Sequence, residues 1–262
     1  MTLPPIPDAF RWTDESWGPA LRCVPLGAIA SHLFTTRRLQ LSVVTDWWRV
    51  ADALGVRRIL TLTQIHGRGV VVVRRGVSTP RGKPEADILV SDDPEVAIAV
   101  RAADCVPLLL ADSRNGAVAA VHAGWRGTAA GAATTAVDAL GREFGSRPED
   151  LVAAIGPSIC SACYEVGSEL VDAFAAAGHA RHLIARWFVT TPPRRGAVES
   201  ERPVLRLDVA AANRDQLMLA GVAETNIHMS GLCTAMHLDV LTSFRKEKDL
   251  AGRLAGVIRA RP

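Results

Sequence analysis

The chain reads as an α+β protein, a single domain of mixed β-sheets flanked by helices. Two observations predict this class. Short apolar runs that suit buried strands, such as Val96 to Val100, Leu108 to Ala111 and Ala117 to Val121, are joined by tight polar turns. Helical stretches are present but alternate with these runs only loosely, which argues against a doubly wound parallel sheet.

Taken in order, the elements begin with an irregular leader over residues 1–25, rich in proline at its start. One domain over 26–262 follows. Trp47, Val50, Ala51 and Leu54 share a helical face, and Gly55 supplies the stop. Arg57 to Val73 reads as two strands broken at His66-Gly67-Arg68-Gly69. Residues 76–86, full of Gly, Pro and charge, read as a loop. Strands then flank Asp104-Cys105, and Asn115-Gly116 turns the chain into the next strand. Thr128 to Phe144 is the clearest helix, with Ala133, Val137, Leu140 and Phe144 as its stripe and Gly145 at its end. Leu151 to Ile155 is a strand, and Val166 to Ala177 a helix. Residues 179–203 read as loop, with Arg194-Arg195 exposed beside Pro192-Pro193. Asp208 caps a helix running to Gly221, Ile227 to Leu232 is a strand, and Asp249 to Arg259 a terminal helix.

Composition narrows the function. The 262 residues are 48% hydrophobic and 22% charged, which is ordinary for a globular protein. No apolar run reaches the roughly 18 residues of a membrane span. Nor does the N-terminus pair a basic segment with an apolar one, so no signal peptide and a cytoplasmic location are expected. Net charge is only +3, and the basic residues are arginine apart from Lys83, Lys246 and Lys248. Without a basic helix carrying interleaved aromatics, no nucleic-acid partner is expected. Five cysteines, an odd number, argue for free thiols over a disulfide framework.

Three polar words stand at the ends of apolar runs: Gln64-Ile65-His66-Gly67, Ala103-Asp104-Cys105-Val106-Pro107, and Val121-His122-Ala123-Gly124-Trp125-Arg126-Gly127. Two imidazoles and a thiolate suit zinc, and three protein ligands leave a fourth position open, as in catalytic sites. The spacings, 39 and 17 residues, carry no short ligand pair. Two hydrogen-bonded core histidines and a buried thiol fit them as well. Gly124 and Gly127 place the His122 turn at a helix start, which favours an anion.

Cys160-Ser161-Ala162-Cys163 is a C-x-x-C without a second pair and without thioredoxin context; it reads as coincidence or local packing, and its thiols are not expected to hold a metal. The zinc deaminase signature, nucleotide-binding glycine motifs and the G-x-S-x-G elbow are absent. Tyr164, the single tyrosine, reads either as core or as a cleft residue stacking on a planar ligand.

These words, with Ile155-Gly156-Pro157-Ser158-Ile159, Cys163-Tyr164-Glu165-Val166-Gly167, Cys233-Thr234 and Ser243-Phe244-Arg245-Lys246, occur in one order. The chain resembles the polyphenol oxidase or laccase-domain family, whose members also act as purine nucleoside phosphorylases. The resemblance spans roughly residues 30–260. It implies a mixed α/β fold with zinc, or copper, held by His66, Cys105 and His122. It also implies phosphorolysis of adenosine, inosine and methylthioadenosine, together with adenosine deamination. Cys105, His122 and Arg126 are then the candidate catalytic residues. Arg37, Tyr164 and Arg245 are candidate substrate contacts, with Arg126 or Arg245 clamping phosphate. Nucleoside and phosphate are the expected partners, with no membrane.

One departure concerns the early segment. The family has Gly-Gly-x-Ser after an early arginine; here Thr36-Arg37-Arg38 leads into Leu39-Gln40-Leu41-Ser42. Two other enzyme readings use the same residues. A copper oxidase of phenols fits the ligand set, although multi-copper chemistry needs many histidines and only seven occur. A thiol hydrolase would use Cys105 as nucleophile and His122 as base. An inactive scaffold of the same fold would turn over no nucleoside.

Overall fold

A computed structural model describes residues 2–79, 82–191 and 203–261. Its strands run in chain order β1 Phe10–Glu15, β2 Gly18–Cys23, β3 Ser31–Phe34, β4 Arg58–Thr61, β5 Val70–Val73, β6 Ile88–Ser91, β7 Val96–Ala102, β8 Val106–Asp112, β9 Val118–Ala123, β10 Leu151–Ile155, β11 Phe188–Thr191, β12 Val204–Leu207, β13 Ile227–Met229 and β14 Leu254–Arg259. Two six-stranded sheets form, ordered β1-β2-β3-β14-β7-β4 and β13-β10-β8-β9-β6-β5, with β11 and β12 as a separate hairpin. Both large sheets are mixed: β4–β7, β5–β6 and β10–β13 pair in parallel and the other neighbours antiparallel. The expected α+β class with mixed sheets and flanking helices is what the chain forms.

Alternation along the central strands explains the layering. On β8, Leu109 and Ala111 face the first sheet, meeting Ile98, Val100 and Ile258. Val106, Leu108 and Leu110 face the other way, against Val137 and Leu140 of helix Ala132–Phe144 and Leu217 of helix Val209–Leu219. On β7, Ala97 and Ala99 turn outward onto Val50 and Leu54 of helix Val44–Leu54. The result is helix, sheet, sheet, helix. Strands covered on both faces read as continuous apolar runs, and β8 is buried at every position. Gly55 ends helix Val44–Leu54 in the left-handed conformation at φ 65°.

Several expectations are corrected. The irregular leader is in fact the β1–β2 hairpin, joined to the first sheet through Leu21 and Phe34. The expected terminal helix over 249–259 is instead β14, inserted between β3 and β7. A Cβ at its Gly256 would be tight, 3.1 Å from Pro107 and 3.2 Å from the Phe34 ring, so these neighbours would have to give by a few tenths of an ångström. Helix 128–144 is divided by Gly131 at φ 80° into Trp125–Ala129 and Ala132–Phe144. The loop expected at 179–203 holds helix Arg181–Trp187 and β11, anchored by buried Trp187, whose indole donates to Asp215 at 2.7 Å. Arg194 and Arg195 lie outside the described residues. No helix among the described residues is long and apolar enough to cross a membrane.

Candidate metal centre and active site

Antiparallel pairing of β8 with β9 sets His122 opposite Pro107, two residues from Cys105 at the mouth of β8. On the other side of β9 lies β6. Asp87, just before it, accepts the His122 backbone N–H through its carbonyl at 2.8 Å. The fully buried Asp87 carboxylate then holds both histidine segments. It accepts from His122 Nδ1 at 2.8 Å and from the backbone N–H groups of Ile65, His66 and Gly67 at 3.3, 3.0 and 2.6 Å.

Of the four non-glycine residues with positive φ among the described residues, two belong to the centre. His66 has φ 61° and Asp104, the neighbour of Cys105, φ 83°. Such conformations cost about 1–3 kcal/mol each and persist only where surroundings enforce them. For His66 the enforcement comes from Asp87. For Asp104 it comes from its carboxylate, which accepts from Thr234 Oγ1 and the Arg245 N–H, both at 2.6 Å.

One ligand atom each from His66, Cys105 and His122 falls within 4.8 Å of the others. Asp87 occupies Nδ1 of His122, which leaves Nε2 as that residue's ligand atom. Burial alone would push the Cys105 thiol up, but hydrogen bonds from His122 and His66 outweigh it and bring it down to about 6. Burial would likewise lower His122; the Asp87 and Cys105 hydrogen bonds reverse this and raise it to about 9. Asp87 follows the same logic: burial is overcome by His122 and the Gly67 N–H, and its acid falls below the ordinary value. The donor set is therefore an anionic sulfur between two imidazoles, one locked by a carboxylate. That chemistry suits a borderline cation. Gly124 makes the room, since a Cβ there would lie 2.8 Å from Cys105 Sγ and 3.2 Å from His66 Cδ2.

The centre sits between two clefts. One, of about 580 Å³, is lined by Lys83, Arg101 and Arg253. Burial and then the charge of Arg253 lower the Arg101 pKa, and among the described residues neither arginine has a carboxylate in ion-pair range. The other, of about 400 Å³, is lined by Trp125, Arg126, Tyr164 and Arg245. Its arginines lie on aromatic rings, Arg126 4.4 Å from the Trp125 centroid and Arg245 5.1 Å from Tyr164. Phe244, half-exposed, borders both clefts.

The structure thus brings together His66, Cys105 and His122, and sets Arg126, Tyr164 and Arg245 along one wall. Arg37 stands apart: it pairs with Glu247 at 3.0 Å and donates to the Leu238 and Leu241 carbonyls. It faces a third cleft that shares only Arg101 and Arg253 with the cationic one. Sequence reasoning missed Asp87, Arg101, Arg253 and Lys83. A carboxylate between apolar neighbours, Ala86-Asp87-Ile88, was the one available signal for Asp87.

Layers of helix, sheet, sheet and helix around a converging His, Cys and His define a laccase-domain protein. Residues 36–261 match the family described as multi-copper polyphenol oxidoreductase laccase, and the chain belongs to it. It is 36% identical over 173 residues to a purine nucleoside phosphorylase of Bacteroides thetaiotaomicron, spanning 66% of this chain and 60% of that protein. It is 38% identical over 174 residues to the adenosine deaminase RL5 of an unknown prokaryotic organism, 66% of this chain and 62% of that one. Among solved structures, the Bacillus licheniformis hypothetical protein YfiH superimposes with a TM-score of 0.82 at 26% identity, over 97% of this chain and 100% of the other.

Proposed function

We propose that this chain is a cytoplasmic, zinc-dependent purine nucleoside phosphorylase that acts on adenosine, inosine and methylthioadenosine and also deaminates adenosine. The observation that carries the reading is the thiolate–imidazole centre at the junction of an aromatic cleft and a cationic one. A nucleoside has a planar base and a sugar carbon that an anion must reach. Tyr164 and Trp125 offer faces on which a purine stacks. Lys83, Arg101 and Arg253 offer charge for phosphate on the opposite side. The ribose then spans the His66–Cys105 ridge, with its anomeric carbon between base and phosphate. In that step a phosphate oxygen bonds to the sugar carbon while the bond to the base nitrogen breaks. The relatives named phosphorylase and deaminase support the same substrate class.

His66, Cys105 and His122 would hold the zinc, which when bound supplies Lewis acidity at the open side of the site. Asp87 fixes the His122 tautomer and keeps both imidazoles in place. Arg126 and Arg245, already stacked on their rings, border the base and not the cationic cleft, so the phosphate role moves from them to Arg101 and Arg253.

The test is base release. Purified zinc-loaded protein with adenosine, inosine or methylthioadenosine should yield free base only when phosphate is supplied, and ammonia from adenosine without it. Absence of base from all three nucleosides at millimolar concentration contradicts the reading.

One observation favours a second reading. Cys105, His122 and Asp87 have the order of a thiolate, a base and an orienting acid, which a metal-free thiol hydrolase would use. Inactivation by alkylation but not by chelation would favour it. The copper-oxidase reading takes the same three ligands, and metal analysis of protein grown without added copper separates it from zinc.

A further inference from the structure

The C-x-x-C that reads as local packing in the sequence gains a third thiol in the fold. Strand β10 continues into a parallel bridge between Ser158 and Cys233. Two backbone hydrogen bonds pin the segments there, Ser158 N–H to the Leu232 carbonyl at 3.2 Å and Thr234 N–H to the Ser158 carbonyl at 3.1 Å. The turn at Ser161–Cys163 then folds Cys163 back over Cys160. The Sγ atoms of Cys160, Cys163 and Cys233 come within 4.8 Å of one another. Met236 adds a thioether, its Sδ 3.9 Å from Cys160 Sγ.

We propose that Cys160, Cys163, Cys233 and Met236 form a second metal site, separate from the His66–Cys105–His122 centre, which takes a soft monovalent cation, Cu(I), in preference to Zn(II). A metal about 2.3 Å from three coplanar sulfurs separates them by roughly 4 Å. The triangle is already near that size. The donors are sulfur only, with no imidazole or carboxylate in the group, and thiolate plus thioether is the set that selects Cu(I). The backbone supports anionic sulfur as well: the Cys160 N–H donates to Cys233 Sγ at 3.3 Å. Burial pushes the Cys163 thiol up, and the charge of Lys246 only partly offsets this. Cys233 is buried, Cys160 and Cys163 are half-buried, and Met236 is exposed, so the group is anchored on one side and open to solvent on the other.

Burial, followed by the neighbouring Cys233, pushes Cys160 up to about 12. The position also has a consequence for the main cleft. Cys163 precedes Tyr164, and Cys233 precedes Thr234, which holds the Asp104 carboxylate. An ion bridging these segments would brace the wall that carries Tyr164.

The test is anaerobic Cu(I) titration against a chromogenic chelator, on zinc-loaded protein and on Cys105→Ser, which removes the first centre. Both should bind one Cu(I) per chain that the double variant Cys160→Ser/Cys163→Ser loses, while the double variant keeps its zinc and its circular dichroism. X-ray absorption should show a sulfur-only shell. Met236→Leu should weaken Cu(I) several-fold without abolishing it. If the double variant loses its fold, Met236→Leu and the absorption spectrum of the Cys105→Ser protein still decide, because Met236 is exposed. A folded double variant that keeps the Cu(I), a shell containing nitrogen in Cys105→Ser, or reduced protein that takes none, overturns the proposal.

Discussion

Asp87 and His122 form a buried pair at the centre: a carboxylate oxygen lies 2.8 Å from the imidazole Nδ1. The same carboxylate accepts three backbone N–H groups of the His66 turn. One side chain thus sets the tautomer of one histidine and the strained backbone of the other.

Asp87→Asn tests that relationship. The amide presents a donor where Nδ1–H needs an acceptor, and half of the acceptor capacity for the His66 turn is lost. Zinc affinity should fall roughly ten- to a hundred-fold, the range expected when a metal-bound histidine loses the carboxylate that holds its other ring nitrogen. Competition with a fluorescent zinc chelator checks this; unchanged affinity would mean that Asp87 supports the fold alone.

Gly124→Ala tests the space. Gly124 has φ −74°, so alanine is compatible with the backbone, but its methyl would stand 2.8 Å from Cys105 Sγ. Occupancy and turnover should both fall, and the metal-free protein should lose about 1–3 kcal/mol from overpacking. Isothermal titration with zinc and denaturant melts of the chelated protein give the two readings.

Arg101→Gln separates the two clefts. If phosphate lies between Arg101 and Arg253, the variant should raise the KM for phosphate several-fold and change the nucleoside KM little. Arg126→Lys should do the reverse, because Arg126 stacks on Trp125 and lysine lacks the planar fork. Steady-state kinetics with each substrate varied in turn decides it, and a larger phosphate effect in Arg126→Lys would return the anion to the helix start.

Much of this was legible from sequence and some was not. The runs that became β7, β8 and β9 and the words at their ends were visible because central strands are apolar throughout and their ends are polar. β14 was not visible as a strand. Leu-Ala-Gly-Val-Ile is as apolar as a buried helix segment, and periodicity cannot separate the two in so short a run. Asp87 and Cys233 escaped for a different reason. Each is placed by a non-local pairing, of β6 with β9 and of Ser158 with Cys233, and no spacing along the chain encodes such a contact.

A pH prediction comes from His32, remote from the centre. Its Nε2 accepts the Cys23 N–H at 2.8 Å, which requires the neutral ring. Burial first, aided by the charges of Arg22 and Arg11, outweighs the Ala30 carbonyl and lowers its pKa from 6.5 to about 4. Between those values the unfolded chain binds a proton that the folded chain refuses. Stability from this group is therefore complete above pH 6.5 and falls as pH drops towards 4, by on the order of 3 kcal/mol. Urea melts at pH 7 and 4.5 should show a larger loss in the native protein than in His32→Gln; equal losses would assign the acid sensitivity elsewhere.

The central claim is that His66, Cys105 and His122 hold the metal on which turnover depends. The most direct measurement is zinc content and phosphate-dependent base release on the same samples of native protein, Cys105→Ala and His122→Ala. The native protein should hold about one zinc per chain at this centre. In both variants that zinc and the base release should be lost together. Full zinc occupancy in both variants, or base release that survives without the metal, contradicts it.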